Sequence, residues 1–140
     1  MSLIVPDYDS MASARKSFGA VLDSAERGRA VTIRRHSKTA AVVQVDQLRA
    51  YFASTLNAHA EVFSEDGRWV VLLRGRSFVS EGLTVDEAID DLIASLREYA
   101  EDWEDRLSSA SNHQANWALV QLITLSTDDE LRAWIENGGE

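Results

Sequence analysis

Four side chains that can carry positive charge lie within five positions of the stretch VTIRRHSKTAAVVQV, residues 31–45. They are Arg34, Arg35, His36 and Lys38. Arginine and lysine bind phosphate oxygens through charge-assisted hydrogen bonds, and such contacts provide most of the affinity of proteins for nucleic acids. The flanking residues are mostly β-branched, which favours strands, so the cluster is predicted at the tip of an antiparallel hairpin. The pattern is typical either of a phosphate-binding surface or of an ordinary solvated turn.

The charge of the chain is unevenly distributed. The 140 residues have a formal net charge of −9, yet residues 1–50 contain eight basic and five acidic residues, a balance of +3. Residues 51–140 contain six basic and 18 acidic residues, a balance of −12. This asymmetry indicates a polyanion-binding amino-terminal part and a carboxyl-terminal part with a different partner.

Catalytic and metal-binding patterns are missing from the sequence. It has no cysteine, and therefore no disulfide framework and no thiolate metal site. The three histidines are scattered without a second ligand three or four positions away, so no metal site is predicted. Asp90 and Asp91 are expected to be neighbours on a solvent face, not a converging acid–base pair. With no nucleophile elbow or glycine-rich phosphate loop, we predict neither an enzyme nor a cofactor.

Composition predicts a folded protein without a membrane partner. The hydrophobic content is 45%, and no apolar run reaches the roughly 18 residues that span a bilayer. The first residues, MSLIVPDYDS, lack the basic flank and cleavage site of a signal peptide. We therefore expect a cytoplasmic location.

The amino-terminal part is predicted to begin with a short strand at residues 3–5, which Pro6 stops. A helix follows, capped by Ser10 or Ser13 and ended by Gly28. Its apolar positions recur at helical spacing and lie on one face. They are Ala14, Phe18, Val21, Leu22 and Ala25.

The hairpin is predicted to join residues 31–35 to residues 39–45 through a three-residue loop. Val31 and Ile33 would then point inward. Asp46 is expected to cap a short helix that follows the hairpin.

The segment STLNAHA, residues 54–60, is the predicted joint between a domain at residues 1–56 and one at residues 57–140. Beyond it, residues 60–63 and 68–73 flank a turn that contains Gly67, and Phe78 begins a brief third strand. A small sheet with helices on its carboxyl-terminal side is therefore expected. The predicted fold class is α+β.

The longest predicted helix begins with a capping box formed by Thr84 and Glu87. Nine apolar residues between Val85 and Trp103 follow at helical spacing. The opposite face is acidic and consists of Asp86, Asp90, Asp91, Glu98, Asp102 and Asp105.

Two further helices are predicted near the carboxyl end. Ser111 with Gln114 would cap the first, and Thr127 with Glu130 would cap the second.

The stretch SARKSFGAVLDSAERGRAVTIRRHSKTAAVVQVDQLRAYF resembles the Phd/YefM (prevent-host-death) antitoxin domain. That family has a Ser/Thr-Ala-Arg start to its first helix, matched by residues 13–15, and a helix-ending glycine, matched by Gly28. Its V-x-I-T-R strand is similar to residues 31–35, and its returning Ala-Val strand to residues 41–43. The resemblance covers roughly residues 1–56.

The resemblance implies a homodimeric α/β domain that binds operator duplex DNA and represses its own toxin–antitoxin operon. In that family the start of the first helix and the basic hairpin contact DNA. Carried over position by position, the implied DNA-binding residues are Ser13, Arg15, Lys16, Arg34, Arg35 and Lys38.

The carboxyl-terminal part differs from the short toxin-binding tail of that family, because it is long, patterned and contains four tryptophans. Residues 60–104 have a weaker resemblance to HicB-type antitoxins. We expect this part to be folded and to bind a cognate toxin. The candidate toxin-binding residues are Asp90, Asp91, Glu98, Asp102, Trp103, Trp117 and Trp134.

Three functions follow from these patterns. The first is an antitoxin that binds operator DNA and neutralises a toxin. The second is a transcriptional regulator of the same fold without a toxin, whose carboxyl-terminal part dimerises or senses a ligand. The third is an acidic protein-interaction module with an incidental basic hairpin.

Overall fold

The computed structural model describes residues 5–138, and the contacts within the chain divide it into two units between Leu48 and Arg49. Each unit contains helices and a small antiparallel sheet, so the predicted α+β class is confirmed. The strand predicted at residues 3–5 lies outside the described residues except for Val5, which is not in a strand.

The helix predicted before the hairpin is two helices, α1 at Met11–Lys16 and α2 at Phe18–Glu26. Ser10 caps α1, since its hydroxyl oxygen accepts a hydrogen bond from the Ser13 N–H at 3.1 Å. The break falls at Ser17, whose φ of −117° and ψ of 28° leave the helical region. Gly28, whose φ is 95°, follows α2 and ends the helical segment, as expected.

The apolar face predicted for this helical segment is only partly covered. Ala14, Val21 and Ala25 are buried, whereas Phe18 is 48% exposed and Leu22 is 43% exposed. All of these residues except Ala14 lie in α2, so the described part of the first unit covers only one edge of the predicted stripe.

The predicted basic hairpin consists of β1 at Val31–Arg35 and β2 at Lys38–Val42. Arg35 pairs with Lys38, so the turn has two residues and the predicted three-residue loop is wrong. His36 begins the turn with φ of 55°, which fits the positive φ that two-residue hairpin turns require. Of the two residues predicted to point inward, Val31 is buried and Ile33 is half-buried, and Arg34 is exposed.

The helix after the hairpin, α3, spans Val45–Thr55. Gln44 caps it, because its side-chain oxygen accepts a hydrogen bond from the Gln47 N–H at 2.8 Å. The predicted cap Asp46 lies instead in the first turn and accepts a hydrogen bond from the Gln44 amide at 3.1 Å.

The second unit contains a three-stranded antiparallel sheet in the order β3, β4, β5. These strands are Ala60–Glu65, Arg68–Leu73 and Phe78–Gly82. Asp66 and Gly67 connect β3 to β4 with φ of 51° and 77°, the left-handed pair of a type I′ turn. Both predicted strands of this hairpin and the third strand are therefore confirmed.

Helix α4, Val85–Asp102, packs its apolar stripe on β4 and β5 and forms the core of the second unit. Thr84 caps it, accepting a hydrogen bond from the Glu87 N–H at 3.1 Å. The Glu87 carboxylate accepts a hydrogen bond from the Leu83 N–H at 3.0 Å, not from the Thr84 N–H. Only half of the predicted capping box is therefore formed.

Helix α4 continues into a π-helical turn at Trp103–Leu107, and the chain returns through α5 at Trp117–Leu125 and α6 at Asp128–Asn137. The predicted cap at Ser111 is wrong: α5 begins at Trp117, after a 3₁₀ turn at Gln114–Asn116. The capping box of Thr127 and Glu130 before α6 is confirmed.

Arg97 on α4 connects the three helices of this unit. Its guanidinium donates hydrogen bonds to the carbonyl oxygens of Ile123 and Ser126 at the end of α5. It also forms an ion pair of 2.7 Å with Asp128 in the first turn of α6. These contacts satisfy carbonyl groups that a helix end leaves without intrahelical partners.

The division after Leu48 lies earlier in the chain than the predicted joint at residues 54–60. The later residues of α3 belong to the second unit, where Phe52 packs against Trp117 with ring centroids 5.6 Å apart. The Trp134 indole N–H donates a hydrogen bond of 2.6 Å to the Leu56 carbonyl oxygen. Aromatic packing thus assigns the end of α3 to the carboxyl-terminal unit.

Gly82 determines how closely α4 approaches the sheet. A Cβ at this position would lie 2.7 Å from the Ala88 nitrogen and 2.9 Å from the Glu87 carbonyl carbon. We predict that Gly82→Ala lowers the free energy of unfolding of the second unit by about 1–3 kcal/mol, the usual cost of overpacking. Thermal unfolding followed by circular dichroism measures the change.

Gly19→Ala provides the control for this substitution. A Cβ at Gly19, inside α2, would meet no atom within 4 Å, so a small stabilisation of up to about 1 kcal/mol is expected. Equal stability of Gly82→Ala and wild type would contradict the close packing of α4 on β5.

Candidate nucleic-acid interface and partner surface

The segment before α1 is hydrogen-bonded to the basic hairpin. The Tyr8 N–H donates to the Thr32 carbonyl oxygen at 3.0 Å, and the Arg34 N–H donates to the Tyr8 carbonyl oxygen at 2.9 Å. Tyr8 and Ile33 thereby form a parallel bridge. These bonds hold the start of the first helix close to the strand that carries the basic residues.

Asp7 strengthens this attachment. Its carboxylate accepts hydrogen bonds from the Thr32 N–H at 2.9 Å and the Thr32 hydroxyl at 3.1 Å, and it forms an ion pair with Arg29. The hydrogen bond from the Thr32 backbone, followed by that from Arg29, lowers the pKa of the Asp7 carboxyl below its usual value.

The hairpin tip presents its positive charge to solvent. Arg34, Arg35 and Lys38 are exposed, and none of them forms an ion pair with an acidic residue in the described part of the chain. Arg35 and Lys38 face one another across the strand pair, an arrangement of like charges that is locally destabilising. A polyanion placed over the tip would remove this repulsion.

The three residues nominated from the first helix occupy two different environments. Ser13 is half-buried, and its hydroxyl donates a hydrogen bond of 2.9 Å to the Ser10 carbonyl oxygen, so it contributes to the cap. Arg15 and Lys16 are exposed. Because α1 ends at Lys16, these two cations lie in its last turn, where the helix dipole favours positive charge.

The acidic face of α4 is partly neutralised within the second unit. Arg132 on α6 pairs with Asp86 and Asp90, and Arg106 pairs with Asp102 at 3.4 Å. Asp91 and Glu98 are exposed and form no ion pair with another described residue. They are seven positions apart, so they share one side of the helix.

Two of the three candidate tryptophans belong to the core. Trp103 and Trp134 are 8% and 7% exposed. Their indole N–H groups donate to the carbonyl oxygens of His113 and Leu56 at 2.8 and 2.6 Å. Trp117 is different, because it is 51% exposed while one side of its ring packs on Phe52.

A second exposed surface, which the sequence patterns did not indicate, lies on the outer face of the sheet. Phe63 and Val79 are 38% and 65% exposed there, on the same face as Val70. The unbroken apolar run at residues 69–73 is a signal that could have found it, since alternation is expected when only one face is covered.

Metal and membrane features are not found in the described residues. No group of three or more His, Cys, Asp or Glu side chains that could hold a metal ion occurs between residues 5 and 138. In the same range, no helix combines the length and the apolar character that a membrane span requires.

Residues 7–136 match the PHD_like family model, described as "Antitoxin of toxin-antitoxin, RelE / RelB, TA system". The match includes most of both units. The chain belongs to this antitoxin family. Its members are regulatory proteins, which confirms that the chain is not an enzyme, and an antitoxin implies a cognate toxin as partner.

The fold is also similar to that of a solved structure. A crystal structure from Syntrophomonas wolfei subsp. wolfei, described as an antitoxin part of a proposed toxin/antitoxin system, aligns with a TM-score of 0.75. The two chains are 22% identical, and the alignment covers 91% of this chain and 95% of that one. No curated protein matches the sequence. At this identity the likeness shows the shared fold.

The lowered pKa of Asp7 predicts how the first unit responds to acid. A carboxyl whose folded-state pKa is depressed contributes stability above its unfolded pKa and loses that contribution as the pH falls through the folded value. We therefore expect the first unit of the antitoxin to lose stability as the pH falls below about 4, and Asp7→Asn to flatten this acid dependence. NMR titration of the carboxyl signals, with amide exchange at Thr32, measures both effects.

Asp9→Asn is the matched control, since the Asp9 side chain accepts no hydrogen bond from the described residues. An Asp7 titration no lower than that of an ordinary aspartate would contradict the bonded geometry.

Proposed function

We propose that this antitoxin is of the Phd/YefM type: a cytoplasmic homodimer that binds operator DNA, represses its own operon and neutralises its toxin by protein–protein contact. The observation that supports DNA binding best is the unpaired cationic tip of the hairpin in an otherwise acidic protein. Family membership disfavours the two alternatives, a regulator without a toxin and an acidic module with an incidental hairpin.

DNA contact is assigned to the hairpin and the first helix. Arg34, Arg35 and Lys38 would bind phosphate oxygens, and neutralising each phosphate releases counterions from the duplex. Arg15 and Lys16 would extend the same cationic surface, since residues 7–8 attach the segment before α1 to β1. Ser13 would act indirectly, by stabilising the start of α1, because its backbone N–H and its hydroxyl both donate to Ser10.

Dimerisation is supported by apolar surface that the first unit leaves uncovered. Phe18, Leu22 and Val45 are between 43% and 48% exposed. Most of β2 is exposed, and among the described residues β2 has a hydrogen-bonded neighbouring strand on one side only. A domain of about fifty residues buries little surface alone, so a symmetric partner would stabilise it.

Toxin binding is assigned to the acidic side of α4. Asp91, Glu98 and Asp102 lie along one side of the helix, and the first two have no basic partner among the described residues. A basic toxin surface would complement them and would be steered toward them electrostatically. Asp90 is already paired with Arg132, and Trp103 and Trp134 are buried in the core, so these three would not contact the toxin directly, whereas the exposed Trp117 remains a candidate contact.

The hairpin assignment predicts a salt-dependent loss of DNA binding. Replacing Arg34, Arg35 and Lys38 with alanine removes six cations from the proposed dimer and should reduce the slope of log K against log salt by about 5, since each phosphate contact contributes about 0.9. Fluorescence anisotropy with a duplex carrying the upstream operon sequence, between low and moderate salt, measures the slope.

The matched control replaces Arg68, Arg74 and Arg106, which removes the same charge from exposed positions of the second unit. The control variant should have the wild-type slope, apart from a small change caused by its lower overall positive charge. A hairpin variant with the wild-type slope would exclude the hairpin from the DNA interface.

The toxin-binding surface is tested by reversing its charge. Asp91→Lys with Glu98→Lys should weaken the complex with the toxin encoded beside the antitoxin by roughly tenfold or more, mainly through slower association. Surface plasmon resonance at two salt concentrations separates the association rate from the dissociation rate.

Asp23→Lys with Glu26→Lys is the control, because these exposed acids lie in α2 of the first unit. If the α4 variant binds normally while Phe63→Ser with Val79→Ser does not, the toxin docks on the outer face of the sheet and the α4 assignment is wrong.

A further inference from the structure

A cavity of about 380 Å³ lies in the second unit, between the turn that joins β4 to β5 and the segment that joins α4 to α5. Six lining side chains offer hydrogen-bond donors: Arg76, Ser77, Tyr99, Asn112, His113 and Asn116. No carboxylate lines the cavity, although residues 51–140 contain 18 acidic residues. The cavity lining therefore offers a positive charge and hydrogen-bond donors, whereas the second unit as a whole is acidic.

Arg76 brings a positive charge to this cavity without an acidic partner. Its guanidinium donates a hydrogen bond of 3.1 Å to the Asn57 carbonyl oxygen, and no carboxylate of the described chain forms an ion pair with it. Partial burial lowers the pKa of Arg76, because removal from water disfavours its charged form. Partly buried charges are normally compensated by a counter-charge.

A hydrogen-bonded chain fixes the opposite wall. The Asn116 amide donates to the Tyr99 hydroxyl oxygen at 2.7 Å, and the Tyr99 hydroxyl shares a second hydrogen bond of 2.9 Å with His113 Nδ1. The Trp103 indole N–H holds the His113 backbone carbonyl at 2.8 Å and restrains this segment.

We propose that the cavity binds a small organic anion through a phosphate or carboxylate group, with Arg76 as the charged contact and the side chains around His113 as neutral donors. Phe78 and Tyr99 supply an aromatic wall, with ring centroids 5.4 Å apart in an edge-to-face arrangement, against which an apolar part of the ligand packs. The volume is in the range of small-molecule sites. None of the lining residues is among those assigned to DNA or toxin binding.

Calorimetric titration of the full-length antitoxin with inorganic phosphate, adenosine monophosphate and citrate tests the proposal and separates the two anion sources. Saturable binding of an organic anion is expected, and Arg76→Gln should weaken it at least tenfold. Arg74→Gln is the matched control, because Arg74 is two residues away, is exposed and pairs with Glu61 at 3.3 Å. It should bind as wild type does.

Two further variants keep the test decisive if Arg76→Gln does not fold. Arg76→Lys retains the charge and should bind more weakly than wild type, and Tyr99→Phe removes the hydroxyl that orients His113. Circular dichroism confirms the fold of each. Absence of saturable binding to all three anions, equal loss in Arg74→Gln, or unchanged affinity in every folded cavity variant would overturn the proposal.

Discussion

The carboxyl-terminal unit depends on the close packing of α4 on β5 at Gly82. Only hydrogen fits between this backbone and the first turn of the helix, where a Cβ would lie 2.7 Å from the Ala88 nitrogen. That contact places the apolar stripe of α4 over Val71 and Leu73, which are fully buried. The other features follow from the position of α4: Arg97 reaches the ends of α5 and α6, Asp91 and Glu98 face solvent, and Tyr99 lines the cavity.

Arginine has two distinct uses in this protein. Arg97 and Arg132 connect helices, since each forms ion pairs across elements of the second unit. Such pairs also reduce the self-repulsion of a segment with a balance of −12. Arg34, Arg35 and Arg76 are different, because no described carboxylate compensates them. In a chain with 23 acidic residues, a cation without an acidic partner is more informative about function than a cation that is paired.

The sequence patterns predicted which helices and strands are present better than they predicted where each one begins and ends. The stripe from Val85 to Trp103 and the capping box of Thr127 with Glu130 specify helices through local periodicity and capping, and both are present. The break at Ser17 and the end of the first unit at Leu48 depend on tertiary packing, which leaves no periodic signal. The hydrogen bonds of Asp7 to Thr32 join residues 25 positions apart and could not be read from spacing. The cavity is unpredictable for the same reason, since three separate segments line it.

If the toxin docks on α4 as proposed, the same patterns provide an ordered surface for it in place of a disordered tail. A disordered segment loses conformational entropy when it folds on its partner, which lowers the affinity for a given contact area. Here the exposed acids lie on a helix that the core already orders, with Leu92 and Leu96 fully buried beneath them. A partner that docks on α4 would therefore meet a preorganised surface and order few side chains. The conformational entropy of the surface is then lost when the unit folds and not when the partner binds. The packing at Gly82 and the ion pairs of Arg97 and Arg132 contribute to offsetting that loss.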